Sequence, residues 1–299
     1  MPAVDSNGVQ IHYESLGDPA GEPILLVMGL ATQLTAWPKD FCDDLVARGY
    51  YVVLFDNRDI GLSTHLTTRR TYNIPLLVAR RALGLPVSVS YQLEDMARDA
   101  IGLLDALNIA KAHVVGASMG GMIAQLMAAN FAERVLSLTS IMSTTGHRSL
   151  PGADLAARRA LLTVPDDPNS KDSVVMRNAR VRQVLQSPVY PKDFDEIYSV
   201  AEAAYERGGH NPDGANRQLA AIIAADHRRS LLRNVDIPSL VIHGAHDPLV
   251  KVECGIDTAL ALPESELLVL HGMGHDFPAV LLESMADRID ATAQRVRAA

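Results

Sequence analysis

Positive charge is in short supply in this chain: 27 lysines and arginines stand against 35 aspartates and glutamates, a net charge of −8 over 299 residues. Binding to nucleic acid needs a positive surface to meet phosphate, so that class of partner is not expected. Long apolar runs are missing too, and none approaches the ~18 residues that span a bilayer. Met1 to Gln10 has neither the basic start nor the apolar stretch of a secretory signal, so a cytoplasmic location is expected. Cysteine is almost absent. Cys42 and Cys254 stand far apart, in no metal or redox spacing, and read as buried thiols of a reducing compartment. Aromatic residues make up only 5% of the chain, which points to an aliphatic pocket for short to medium acyl groups rather than a stacked aromatic cage.

What is present is an ordinary globular balance, 48% apolar and 21% charged. Asn7-Gly8, between Pro2–Val4 and the alternating Val9–Tyr13, is a hairpin signal because both residues tolerate positive φ. Further apolar runs lack alternation: Ile24–Met28, Tyr51–Phe55, His113–Val115, Leu136–Met142, Leu240–His243 and Leu267–Leu270. Strands of that kind are covered on both faces, as in a parallel sheet between helices. Helical periodicity fills the intervals at Trp37–Arg48, Tyr91–Leu107, Met119–Phe131, Lys251–Leu262 and Val280–Arg297. The alternation predicts an α/β fold with a doubly wound, mostly parallel eight-stranded sheet. Residues 144–232 intervene where a short crossover would suffice, with Pro151, Pro165, Pro168, Pro188, Pro191 and Pro212 punctuating short helices. They read as a helical cap inserted before the seventh strand, leaving 1–143 and 233–299 as the core.

Gly116-Ala117-Ser118-Met119-Gly120-Gly121 carries the chemistry. Gly-x-Ser-x-Gly alone is a weak pattern, but here it lies directly between an apolar strand and a helical stretch. A tight strand-to-helix turn thrusts the serine hydroxyl above the sheet, and a Cβ at either flanking position would collide with neighbouring backbone. Ser118 is therefore the expected nucleophile. A serine hydroxyl needs a base, and in an open α/β sheet reacting groups gather at the carboxyl ends of strands. His275, in His271-Gly272-Met273-Gly274-His275, is the expected base, on a loop that the glycines leave free to bend; His271 reads as a packed or surface histidine. Asp247, in His246-Asp247-Pro248, is the expected orienting carboxylate. The alternative position after the strand ending at Met142 offers only Ser143, Thr144, Thr145 and Gly146. The backbone N–H groups of Met119 and of Leu30, after Gly29, are the expected oxyanion donors.

Together these residues resemble the α/β-hydrolase superfamily, over nearly the whole chain. Asp56-Asn57-Arg58-Asp59-Ile60-Gly61-Leu62-Ser63 is similar to the family's Asp-x-Arg-Gly-x-Gly-x-Ser turn, with Asp59 in place of the usual glycine. Met28 stands where a histidine usually precedes the oxyanion glycine. The Met28-Gly29-Leu30 loop, this turn and the elbow look most like bacterial lipase/esterase-type hydrolases near the aclacinomycin methylesterases. The resemblance implies carboxylic-ester hydrolysis of a small molecule, with no cofactor and no metal.

Other readings share the machinery: a cofactor-free perhydrolase, a lactonase, a thioesterase or a C–C bond hydrolase. A non-catalytic ligand-binding version of the fold would ordinarily show a broken set of three. His243-x-x-His246 and His271-x-x-x-His275 have metal-ligand spacings but fall in loops. Gly29, Trp37, Tyr190, Phe194 and Tyr198 are substrate-binding candidates, with Tyr205 a further cap aromatic. Residues 64–90 mix Arg69, Arg70, Arg80 and Arg81 with apolar side chains, and read as a rim helix packed on the cap rather than as a membrane-surface segment. The oligomeric state is not encoded in any pattern of the chain.

Overall fold

In a computed structural model describing residues 2–68 and 71–297, Asn7 and Gly8 adopt φ of 47° and 80°. Those left-handed values close a two-residue hairpin, joining β1 (Ala3–Ser6) to β2 (Val9–Leu16) with Ser6 opposite Val9. The apolar runs form β3 (Glu22–Val27), β4 (Tyr50–Phe55), β5 (Ala112–Ala117), β6 (Val135–Ile141), β7 (Ser239–Gly244) and β8 (Ser265–Leu270). All eight strands lie in one sheet of order β1-β2-β4-β3-β5-β6-β7-β8. The pairings of β1 with β2 and of β2 with β4 are antiparallel, and the rest are parallel.

Successive residues of a strand point to opposite faces, and here both faces are covered. Ile24 and Leu26 of β3 join one core cluster while Leu25 and Val27 join the other, all four at 0% exposure. One face carries α3 (Leu93–Ala106) and α4 (Met119–Asn130); the other carries α1 (Lys39–Ala47) and α11 (Leu282–Arg297). The helix α10 (Val252–Ala261) bridges β7 to β8. Cys42 and Cys254 are buried and unpaired. Burial pushes the Cys42 thiol up to about 12 and raises that of Cys254 as well, and a thiol is reactive only as its thiolate. Ellman's reagent is therefore expected to find no thiol in the native protein and both after denaturation.

Between β6 and β7 the chain forms α5 (Leu155–Leu162), α6 (Lys171–Leu185), α7 (Phe194–Gly208), α8 (Pro212–Ala224) and the short α9 (Arg229–Leu232). Helices α6 and α7 share a small apolar cluster of Val175, Ala179, Ile197 and Ala201. The 64–90 segment contains α2 (Ile74–Ala82), capped by the Asn73 side chain, which accepts from the Leu76 N–H. Leu77 and Tyr72 are buried against Ala220 of α8, whereas Leu76, Val78 and Leu83 remain exposed. Arg69 and Arg70 lie outside the described residues.

Candidate active site

The turn after β5 shows why glycine surrounds Ser118. A Cβ at Gly116 would lie 2.1 Å from the Gly120 carbonyl oxygen, and one at Gly120 would lie 2.0 Å from that of Val27. Ser118 itself has φ 57° and ψ −118°, a conformation that L residues adopt only when the surroundings impose it. Two hydrogen bonds fix it: its N–H donates to the Ile141 carbonyl at 2.9 Å, and its carbonyl accepts from the Ser143 hydroxyl at 2.7 Å. Ser143 is thus a positioning residue of the turn. Sequence reasoning had considered its position only as a place for a carboxylate.

Above the elbow the expected residues converge. The Ser118 hydroxyl lies 3.0 Å from His275 Nε2, and His275 Nδ1 lies 2.7 Å from Asp247 Oδ2. Asp247 is 0% exposed and His275 9% exposed. The second Asp247 oxygen accepts the N–H groups of Leu249 and Val250, each at 2.8 Å, so the Asp-Pro turn and the imidazole use different oxygens of one carboxylate. With Nδ1–H donating to Asp247, Nε2 presents its lone pair to the serine O–H. This arrangement can draw a proton from an alcohol and stabilise the imidazolium that results.

His243 is buried beside this group, 3.8 Å from Asp247 Oδ2. Burial lowers its pKa, and Nε2–H donates to the Val250 carbonyl at 2.7 Å. It supports the turn as a neutral ring. His246 and His271 stack edge to face with ring centroids 4.9 Å apart, on the exposed side. The paired histidine spacings therefore belong to different neighbourhoods: of the four rings, only that of His275 reaches Ser118.

The loop carrying His275 is held rather than free, which corrects the sequence expectation about its glycines. The His275 N–H donates to the Leu185 carbonyl at 2.8 Å, and the Gly274 N–H donates to the Ser187 hydroxyl at 2.8 Å. Ser187 in turn donates through its N–H and its hydroxyl to the Asp276 carboxylate. A Cβ at Gly274 would sit 2.7 Å from the Gln186 carbonyl carbon, so that glycine permits close packing under the end of α6. Leu185, Ser187 and Asp276 are the positioning residues that sequence reasoning missed. No local pattern marks them, because the partners lie 87 or more residues apart for both Ser187 contacts.

The loop after β3 reaches the same place. A Cβ at Gly29 would lie 3.1 Å from Ser118 Cβ, a tight contact that glycine spares the loop. Among the described residues no acceptor takes the N–H of Leu30 or of Met119, which leaves both available to a ligand. Gln218 of α8 holds the loop, accepting from the Ala31 N–H at 2.8 Å and donating to the Arg58 carbonyl at 2.7 Å. Asn57 donates to the Met28 carbonyl at 2.9 Å, and Asp56 accepts from the Leu34 N–H at 2.7 Å. Asp59 adopts φ 70° and is gripped at both oxygens by Arg217 of α8, at 2.7 and 2.8 Å.

The remaining candidates make packing contacts. Trp37 is 4% exposed, stacked on Phe41 and tilted against Phe277 in the core. Phe194 and Tyr198 are half-buried against the α6–α7 cluster, with Tyr205 beside them. The half-buried Tyr190 packs next to Gly272, where a Cβ would come within 3.0 Å of its ring.

Residues 22–279 match the family described as the alpha/beta hydrolase fold. The chain is 27% identical over 305 aligned positions to rhodomycin D methylesterase DnrP of Streptomyces peucetius, covering 96% of each protein. Among solved structures, an enol-lactonase from Burkholderia xenovorans LB400 superposes with a TM-score of 0.73 at 19% identity, covering 98% of this chain and 100% of that one. The esterase RhEst1 from Rhodococcus sp. ECU1013 gives a TM-score of 0.69 at 22% identity, covering 97% and 98%.

Proposed function

Because the chain belongs to the α/β-hydrolase family, we propose that it is a carboxylesterase-type serine hydrolase that cleaves small-molecule esters through an acyl-enzyme. The observation that carries this reading is the unbroken line from Asp247 through His275 to Ser118, at 2.7 and 3.0 Å. Its likeness to a methylesterase over 96% of both chains supports an ester as the substrate class.

In the first half of the reaction the Ser118 proton passes to His275 Nε2 as Oγ bonds to the ester carbonyl carbon. The carbonyl oxygen becomes an oxyanion that accepts from the N–H groups of Leu30 and Met119. Collapse of this intermediate breaks the carbon–oxygen bond to the alcohol, which leaves with the proton from His275. In the second half water gives a proton to His275 and attacks the acyl carbon, and the second collapse returns a proton to Ser118 and frees the acid. Asp247 stays ionised throughout and stabilises the imidazolium. Residues 144–232 act as the cap over this site, holding the base through Leu185 and Ser187 and the oxyanion loop through Gln218. No cofactor or metal takes part in the steps as written.

A fluorophosphonate probe tests the reading directly. Mass spectrometry is expected to find one adduct per chain, on the peptide containing Ser118, and none on Ser143 or Ser187. A folded protein that leaves Ser118 unmodified under conditions that saturate a known serine esterase would refute it.

A further inference from the structure

Arg228, just after the α8 segment, is 3% exposed. Its guanidinium donates to Gln125 Oε1 at 2.9 Å, the Thr144 carbonyl at 2.9 Å and the Asp226 carbonyl at 3.2 Å. All three acceptors are neutral, and among the described residues no carboxylate forms an ion pair with it. Desolvation lowers its pKa to about 10. A charge withdrawn from water without a counter-charge is costly, so this group is poised to gain from an anion.

Arg228 lines a cavity of about 150 Å³. Arg81, Arg148 and His227 share its wall, with Met122 and Ile223 supplying an apolar side. The Arg81 guanidinium is neutralised by Asp226, an exposed carboxylate. Arg148 has no ion pair among the described residues. Such a gathering of cationic side chains runs against the average of a chain with net charge −8. Two guanidiniums without carboxylate partners therefore border one concavity that also offers hydrocarbon surface.

We propose that this cavity binds a small organic carboxylate, its charge beside Arg228 and Arg148 and its apolar body against Met122 and Ile223. Cavities near 150 Å³ accommodate benzene, so benzoate is a probe of suitable size. Inorganic phosphate has the charge without the apolar body, and benzamide has the body without the charge. The cavity is lined by none of Ser118, Asp247 and His275, and binding there does not rest on their chemistry. Its occupant would contact α4, the segment following β6 and the end of α8 together, three elements that also frame the proposed ester site.

Isothermal titration of the full chain carrying Ser118→Ala with sodium benzoate at constant ionic strength tests this independently of turnover. Saturable binding of one benzoate per chain is expected, with benzamide and phosphate each weaker by about ten-fold or more. Arg148 is exposed, so Arg148→Glu should keep the native circular dichroism while weakening benzoate by about ten-fold or more. Absence of benzoate binding, equal binding of benzamide or phosphate, or undiminished binding by folded Arg148→Glu would each overturn the proposal. Loss of fluorophosphonate labelling at Ser118 in the parent would leave it standing.

Discussion

Replacing Ser118 by alanine is expected to lower kcat for a chromogenic short-acyl ester by a factor on the order of 10⁶, the scale on which loss of an activated nucleophile acts. The fold should persist. Among the described residues the hydroxyl bonds only to His275, and alanine keeps the Cβ, so the backbone conformation at φ 57° is asked of a residue that still carries that atom. Thermal unfolding of the variant should therefore follow the parent closely. His275→Ala should fall nearly as far, and the double variant should be no slower than the worse single one, because the two groups act as a unit. Near-parental turnover by Ser118→Ala, with the protein shown free of contaminating esterase, would remove Ser118 from the chemistry.

The largest stability effect is expected at Arg217. Its side chain is 2% exposed, and its partner Asp59 is 0% exposed. Burial alone would raise the Asp59 carboxyl, but hydrogen bonds from Arg217 and the Leu66 N–H outweigh it and hold the pKa below the usual carboxylate value. Arg217→Met leaves that carboxylate buried and unpaired, which costs about 3–5 kcal/mol in comparable cases. A carboxylate with a lowered pKa in the folded state adds stability above its unfolded pKa, and that stability is lost as the pH falls through the folded value. The gap between parent and Arg217→Met should therefore narrow below about pH 4. Asp59→Gly in the Arg217→Met background removes the stranded charge and suits φ 70°, so it should restore much of the loss. Urea melts of the parent and the two variants measure this; an Arg217→Met midpoint equal to the parent's would mean that the pair contributes nothing.

Much of this molecule was legible beforehand because its constraints are local. Strands buried on both faces must be apolar at every position, which made Ile24–Met28 and Leu240–His243 recognisable without any partner in view. Asn7-Gly8 and the elbow around Ser118 stood out for a related reason: backbone geometry there tolerates few residue types. Positions just past the strand ends likewise pointed to Asp247 and His275, the side chains that the fold brings to Ser118.

What escaped were the remote contacts that no motif or strand end marks. Asp59 was visible as a departure from a family pattern, yet its partner lies 158 positions away. Ser187, in the loop after α6, and Gln218, on α8, are unremarkable polar residues until the chain folds them against Gly274 and Ala31. The glycines before His275 were read as a source of freedom, and at Gly274 the chain used the missing side chain to admit a neighbouring carbonyl. A glycine in a sequence announces permission without saying which permission is used.

The anchoring of the His275 backbone to Leu185 has a bearing on how such proteins can be rebuilt. A replacement for residues 144–232, taken from a relative or shortened, must bring its own carbonyl to the same point and its own hydroxyl to Gly274. A graft chosen only for the shape of its inner wall would dock yet leave the imidazole adrift. Redesign of this segment and placement of the imidazole are therefore coupled, and changing the first means re-creating two bonds of the second.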